Sequence, residues 1–370
     1  MSLPILSYAT ATSDPTAFIS QLQQALLTTG FFYLSELEAV LPEWKEAWDE
    51  AFRASEEFFA QSVEEKQQIA MEGSAHFRGW SGFKVEVTQG RNDLREQIDF
   101  GPDTPPAIPY PPLPDEPIEL SLYGPNQYPS FVPSLEAALR CWRNLNETIA
   151  ADLISLIADS LTPNPGLITS AFSLGDASQP PYSRMKVVQY SPVSADEGRK
   201  GLGVGAHKDG GGITLLAQDL TGGLQVQNWN GAWKDVKPLP YILVINVGQV
   251  IERMSSSLYS ATTHRVLPTL SPHPRLSIPF FYSPTLRARL TPLPLFAIHP
   301  KLLERAAQIS AVGQGKERRD AEKVSEVRKG DLHEEVFGRA AWRGITRSHL
   351  ECWRKWYGPD RDSLGGPEGA

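Results

Sequence analysis

Gly203-Val204-Gly205-Ala206-His207-Lys208-Asp209 opens the stretch that decides how this chain reads, and Arg275-Leu276-Ser277-Ile278-Pro279-Phe280-Phe281 closes it. Gly-rich and β-branched sequence connects them through Ala261-Thr262-Thr263-His264-Arg265-Val266. On an extended strand successive side chains alternate faces, so His207 and Asp209 leave one face and Lys208 the other. His264 joins them after an excursion through further strands. Two imidazoles and one carboxylate on one side of a metal leave three coordination positions open. Arg275 and Ser277 repeat the two-residue spacing with a guanidinium and a hydroxyl. That pair can grip a carboxylate by a forked, charge-assisted contact. A His-x-Asp with a later His is a frequent accident in a chain with seven His. The clamp that follows is what makes the combination specific.

Outward from this stretch the pattern is one of short strands. Met185 to Tyr190, Val204 to Lys208, Ile213 to Gln218, Leu224 to Asn228, Trp233 to Val236, Tyr241 to Val247, Val266 and Leu276 to Tyr282 follow one another, separated by Gly, Pro and Asn-Gly turns. Such spacing predicts an antiparallel sandwich or barrel, and Asn230-Gly231 marks a hairpin. Eight strands closing over a site make a jelly roll. Ser194 to Gly201 reads as a polar, flexible loop.

Upstream, Pro4 to Tyr8 suits an edge strand, and Asp14-Pro15 starts a helix with Asp as cap. Phe31 to Leu34 is a strand. Pro42 to Ala60 is a helix whose Trp44, Trp48, Phe52 and Phe59 form a core stripe. Glu64 to Gln68 reads as a solvated helical turn. His76 to Phe100 reads as irregular, and Asp103 to Pro117 as a Pro-rich extended connector. Ser134 to Leu161 is the longest helical pattern, with Leu135, Leu139, Trp142, Leu145, Ile149, Leu153 and Leu156 on one stripe. Downstream, Lys316 to Lys329 is a charged, exposed segment, Phe337 to Tyr357 is helical and packs back on the barrel, and the chain frays from Gly358.

Composition sets the outer limits. The chain has 370 residues, 41% hydrophobic and 21% charged, which is ordinary for a globular protein. A net charge of −8 argues against a nucleic-acid partner. No window reaches the length of a membrane span, and the N-terminus lacks the basic and apolar regions of a signal peptide. Cys141 and Cys352 make no disulfide scaffold; Cys141, within a helical pattern, reads as a small core residue. A reducing cytoplasm is the expected location.

With His207-Lys208-Asp209, His264 and Arg275-Leu276-Ser277 in hand, the sequence resembles the Fe(II)/2-oxoglutarate-dependent dioxygenases of the isopenicillin N synthase-like group. Supporting stretches are Gly30 to Leu34, Arg95 to Phe100, Gly222 to Val226, Trp233 to Val236 and Val244 to Gly248. The resemblance implies an α+β fold: a double-stranded β-helix, or jelly-roll, core with an N-terminal helical layer and C-terminal helices. It divides the chain into 1–180, packing on the barrel, 181–290, the jelly-roll catalytic core with the Fe site, and 291–370, a C-terminal helical extension. It implies Fe(II) on His207, Asp209 and His264, with 2-oxoglutarate and O2 as co-substrates. Arg275 and Ser277 would hold the distal carboxylate of 2-oxoglutarate. Members usually place a Tyr directly before the Pro of Gln189-Tyr190-Ser191-Pro192, where its hydroxyl helps bind that carboxylate. Here Tyr190 comes one position early, so either a one-residue bulge turns it inward or the third contact is missing.

The implied activity is oxidation (hydroxylation, desaturation, or ring formation or rearrangement) of a small molecule, of the secondary-metabolite kind. Two other readings stand beside it. One is an oxidase of the isopenicillin N synthase or aminocyclopropane carboxylate oxidase type, in which the Arg-x-Ser pair grips the substrate instead. The other is a binding module with a vestigial site. Phe281 matches an aromatic that lines the substrate pocket in members of the group, and a core role suits it equally. Phe83 and Trp80, in the segment that packs beside the barrel mouth, are further pocket candidates. His76 reads as a loop hydrogen-bonding residue, Asp219 as a turn residue and His273 as exposed. His299, His333 and His349 are left to surface or core.

Overall fold

Period-two alternation carries into the structure. In Arg184–Tyr190, Met185 and Val187 join one buried cluster with the helices, while Val188 and Tyr190 join a second cluster between two sheets. The computed structural model describes residues 3–88, 91–113, 115–173, 175, 179–194, 196, 198, 201–311 and 336–358. The charged segment 316–329, His333, the residues beyond Gly358 and much of the 194–201 loop lie outside them.

The strands in chain order are β1 (Ile5–Ser7), β2 (Phe31–Ser35), β3 (Gly79–Ser81), β4 (Val87–Thr88), β5 (Arg91–Asn92), β6 (Glu96–Phe100) and β7 (Arg184–Tyr190). They continue as β8 (Val204–His207), β9 (Ile213–Gln218), β10 (Leu224–Gln227), β11 (Trp233–Asp235), β12 (Leu243–Val247), β13 (His264–Val266) and β14 (Arg275–Tyr282). The large sheet has the order β1-β2-β12-β9-β14-β7-β6-β3, the small one β11-β10-β13-β8, and β4 pairs with β5. Strands β7 to β14 thus divide four and four between two facing sheets, the jelly-roll arrangement. Phe31, Tyr33, Val188, Val204, Leu224 and Val266 are among the residues packed between them. Asn230-Gly231 does turn β10 into β11, with Gly231 at φ +82°.

The long helix Pro133–Leu161 lies on the outer face of the large sheet. Leu135, Leu139, Trp142, Ile149 and Leu153 are fully buried there, and Leu156 is only half-buried. Trp44 and Trp48 of the helix Trp44–Phe59 pack against Trp142. Asp14 caps the helix Pro15–Thr28 through Ala17 N at 3.0 Å.

Several expectations change. The 76–100 segment is not irregular: β6 and β3 extend the large sheet beyond β7. These strands are short and β6 is charged, so propensity hides them; partners elsewhere in the chain make them possible. Glu96 is bridged to Lys66 at 2.9 Å, and Asp99 accepts from Arg184 at 2.5 Å. Lys66, expected in a solvated turn, is therefore buried. Cys141 is exposed, on the outer face of its helix. At the other end, the helices Phe337–Ser348 and Leu350–Tyr357 do pack back: Trp342 meets Phe77 and Tyr357, and Tyr357 donates to Ala75 O at 2.6 Å.

Candidate active site

His207 is the last residue of β8 and His264 the first of β13, and the two are direct partners across the small sheet. Their rings lie 4.3 Å apart between centroids. Asp209 is not on the strand; it sits in the turn that follows. That turn is held by the backbone at the start of the helix Gln249–Met254: Gln249 N donates to Asp209 O at 2.8 Å, and Gly248 N to Gly212 O at 2.7 Å. A Cβ on Gly248 would stand 2.3 Å from Gly211 O and 2.9 Å from Asp209 O, so the close approach requires glycine.

Candidate ligand atoms of the three side chains lie within 4.8 Å of one another. Each imidazole anchors Nδ1 on a carbonyl, His207 on Gly205 O at 2.8 Å and His264 on Thr262 O at 3.1 Å. A carbonyl only accepts, so Nδ1 carries the proton and each Nε2 is left with its lone pair. Both Nε2 atoms stand 3.6 Å from Asp209 Oδ1. The other carboxylate oxygen, Oδ2, accepts from Thr214 Oγ1 at 2.6 Å and Asn246 Nδ2 at 2.8 Å. Two nitrogens and one oxygen thus converge with every remaining polar atom of the ligands already paired. This donor set fits Fe(II).

Electrostatics agree. Burial works to raise the Asp209 carboxyl, yet His264, His207 and the Asn246 amide outweigh it and hold it well below the usual carboxylate range. Burial and then the neighbouring His207 push His264 down to about 4. For His207 burial works downward too, but the negative charge of Asp209, 3.6 Å away, raises it. A neutral His264 beside an ionised Asp209 is the protonation state a divalent cation needs.

Arg275 and Ser277 face the same cavity, of about 1390 Å³, as the triad. Arg275 is 1% exposed; Nη2 donates to Gln218 Oε1 at 3.0 Å, Nη1 reaches Ser277 Oγ at 3.4 Å, and Nε has no partner among the described residues. The register between β7 and β14 runs without a shift from Arg275↔Tyr190 to Phe281↔Arg184. No bulge is needed: alternation alone turns Tyr190 inward, and its ring lies under the guanidinium at 4.7 Å. Phe281 lines the cavity. Trp80 and Phe83 do not. Trp80 is buried beside β6, donating Nε1 to Glu96 Oε2 at 2.9 Å, and Phe83 is 41% exposed with Lys84 over its ring.

Of the other candidates, His76 bonds Ser121 O at 2.7 Å, Asp219 caps its turn through Thr221 N at 2.8 Å, and His273 is exposed. His299 bonds Asp159 O at 3.0 Å, and His349 is buried. Lys208 points away from the triad to Glu252, 3.4 Å distant. Thr214 and Asn246 have no signal of their own in the sequence. Strand parity could have found them, since both alternate inward at the level of the metal turn.

A 2OG-Fe(II) oxygenase superfamily profile matches residues 182–284, and an N-terminal profile described as non-haem dioxygenase in morphine synthesis matches 3–131. A 2-oxoglutarate-dependent dioxygenase of Gibberella zeae is 33% identical over 298 residues, covering 76% of this chain and 74% of that protein. A homoarginine-6-hydroxylase of Glycine max is 30% identical over 280 residues, covering 74% and 80%. A full-length Neurospora crassa protein, crystallised with alpha-KG and 5-formyluracil, superposes with a TM-score of 0.61 at 21% identity, covering 81% of this chain and 90% of that one. That similarity speaks for the fold alone. The double-stranded β-helix and its cavity belong to the oxygenases that use a 2-oxo acid with non-haem iron. This chain is a member of the 2OG-Fe(II) oxygenase superfamily, an Fe(II)- and 2-oxoglutarate-dependent dioxygenase. No helix among the described residues is long and apolar enough to cross a membrane.

Proposed function

We propose that His207, Asp209 and His264 bind the iron, that Arg275 and Ser277 hold the distal carboxylate of 2-oxoglutarate, and that Phe281 faces the substrate being oxidised. The observation that carries this is the convergence of two anchored imidazoles and one doubly braced carboxylate at one end of a cavity whose other wall holds a buried guanidinium. When bound, iron would activate O2, with two electrons coming from 2-oxoglutarate as it is decarboxylated to succinate and CO2 and two from the substrate C–H bond. The chain's residues do the rest. Arg275 offers an Nη pair fixed by Gln218 and Ser277, so the co-substrate is oriented before it arrives. Tyr190 supports the guanidinium through its ring face. Asn246 and Thr214 occupy one oxygen of Asp209 and direct the other at the ligand position.

In this reading chemistry is confined to 181–290, while Phe31, Glu86 and Arg95 before it and Phe337, Ile345 and Leu350 after it complete the cavity wall. The substrate is a small molecule of secondary metabolism; the soybean relative's name, homoarginine-6-hydroxylase, supports hydroxylation as the outcome. A cytoplasmic location suits a ferrous site, and the negative net charge disfavours nucleic acid. The test is an anaerobic titration of Fe(II)-loaded protein with 2-oxoglutarate, followed by its charge-transfer band. A saturable band that vanishes in His264→Ala supports the assignment. A band retained at full amplitude in that variant would falsify it.

A further inference from the structure

Arg184 opens β7 on the same face as Tyr190. Its partner on β14 is Phe281, and Phe281 is level with Thr214 on β9, whose hydroxyl braces Asp209. The Arg184 backbone therefore stands level with Thr214, two strands over, roughly 10 Å at ~4.8 Å per strand. Asp99 fixes Nη2 at 2.5 Å. Among the described residues nothing accepts from Nε or Nη1, and 22% of the side chain is open in the cavity wall.

This arrangement resembles that of Arg275, where Gln218 holds Nη2, Ser277 Oγ lies 3.4 Å from Nη1 and Nε has no partner among the described residues. Lys186, two residues on, is different. Its ammonium is taken up by both oxygens of Glu86, at 2.8 and 3.0 Å, and stands 3.5 Å from Asp99. The buried acids Glu86, Asp93 and Asp99 are matched by Arg95, Lys186 and Arg184. Apart from Asp209 and Glu86 no carboxylate lines the wall among the described residues. Phe281 stands opposite Arg184, and Leu290, Phe337 and Ile345 add apolar surface to the same cavity.

We infer that Arg184 is a second carboxylate clamp, which binds the oxidised substrate and aims an apolar skeleton at the metal. The substrate class is accordingly a small organic acid. This rests on the proposed iron and co-substrate site, and its test separates the two.

Full-length protein holding Fe(II) and saturating 2-oxoglutarate under nitrogen is titrated calorimetrically with phenylacetate, 3-phenylpropanoate and 4-phenylbutanoate, and with the matching primary amides. At least one carboxylate is expected to bind about tenfold or more tightly than its amide. Arg184→Gln should erase that preference, and Arg184→Lys, which keeps the charge without the fork, should retain part of it. A 2-oxoglutarate titration of each variant, with an unmoved midpoint, shows that the fold and the first clamp are intact. Should the Gln variant fail to fold, the Lys variant, which keeps Asp99 paired, carries the comparison. Equal binding of every acid and amide by the wild type overturns the inference. So does a preference that survives Arg184→Gln and disappears in Arg275→Ala. If 2-oxoglutarate itself does not bind, the co-substrate reading falls, and the acid-to-amide ratio measured in Arg275→Ala still decides the role of Arg184.

Discussion

Arg275 and Arg184 stand on neighbouring strands of one sheet and face one cavity, six residues apart along β7 in register. That is about 20 Å at ~3.3 Å per residue. Around Arg275 everything needed is near in sequence or on adjacent strands: Ser277 two residues on, Gln218 on β9, Tyr190 opposite. Around Arg184 the surroundings are assembled from Glu86, Asp99, Lys186 and a helix beginning at Phe337. Chemistry with a fixed geometry can be specified by strand alternation. The shape of a substrate chamber is specified by distant segments docking on one another, and that is where enzymes of one fold diverge.

The largest expected effect lies at the metal end. His264→Ala removes one of the three proposed donors and should lower iron affinity by more than the ~10–100-fold typical of an outer-shell partner. Lys208→Ala, the change one residue from each of two ligands, should keep its iron because Lys208 reaches Glu252 instead. Metal content after dialysis, by atomic absorption, checks both. Equal loss in the two variants would break the claim that this end is built by alternation.

Next is the first clamp. If Arg275 holds the co-substrate as proposed, Arg275→Ala leaves that carboxylate unpaired in a buried site, which costs ~2–5 kcal/mol. At ~1.4 kcal/mol per tenfold, 2-oxoglutarate should weaken roughly 30-fold or more, with iron retained. Ser277→Ala removes a neutral donor and should cost about 1 kcal/mol. The anaerobic charge-transfer titration reads both midpoints. If Arg275→Ala leaves its midpoint unmoved, the carboxylate is held elsewhere, and the contrast between the two arginines reverses.

Asn246→Ala sharpens the comparison from inside the metal end. It leaves Asp209 Oδ2 with Thr214 alone, so iron should bind ~10–100-fold more weakly while Arg275 keeps its grip. An unchanged iron affinity would make the Asn246 bond a packing feature.

How much was legible follows the same divide. His-x-Asp, Arg-x-Ser and the eight core strands could be read because each depends on period two and on turns. Tyr190 looked displaced only because its position was judged against a neighbouring proline; strand parity with Arg275 places it correctly. Asp209 was right in face but wrong in element, since the turn beyond β8 is held by the backbone of Gly248 and Gln249. Trp80 and Phe83 failed for a different reason. Aromatics near a barrel mouth are fixed by whichever pairing their segment finds, and β3 buries Trp80 against β6. Glu96 and Asp99 gave no strand signal, because their charges are matched only by Lys66, Arg184 and Lys186 from elsewhere in the chain.

The smallest expected effect tests the charged end through pH. Glu86 and Asp93 both contact Arg95, at 2.8 and 3.0 Å, yet they titrate in opposite senses. Burial works to raise Glu86, but Arg95 and Lys186 outweigh it and hold it well below its ordinary range. Asp93 is raised, because burial outweighs Arg95 and the Thr88 hydroxyl. The unfolded reference values are ~4.3 for Glu and ~3.9 for Asp. Below ~4.3 the unfolded state takes up the Glu86 proton first, so stability present above that pH is lost as pH falls through the folded value. For Asp93 the native state takes up the proton first, so stability is gained as pH falls toward ~3.9. In the wild type the two effects overlap only near pH ~4: the Asp93 gain comes as pH falls toward ~3.9, and the Glu86 loss begins at ~4.3 and continues below it. Glu86→Gln should leave the Asp93 slope exposed and make the protein gain stability relative to wild type on acidification. Asp93→Asn should do the reverse and steepen acid loss. Urea unfolding at a series of pH values between neutrality and pH ~2.5 gives both slopes, with ν taken from the change in ΔG. Slopes displaced in the same direction by the two variants would mean that Arg95 and Lys186 do not divide these carboxylates as the geometry indicates. The chamber wall would then be a uniform charge field, with Arg184 no more distinct in it than Lys186.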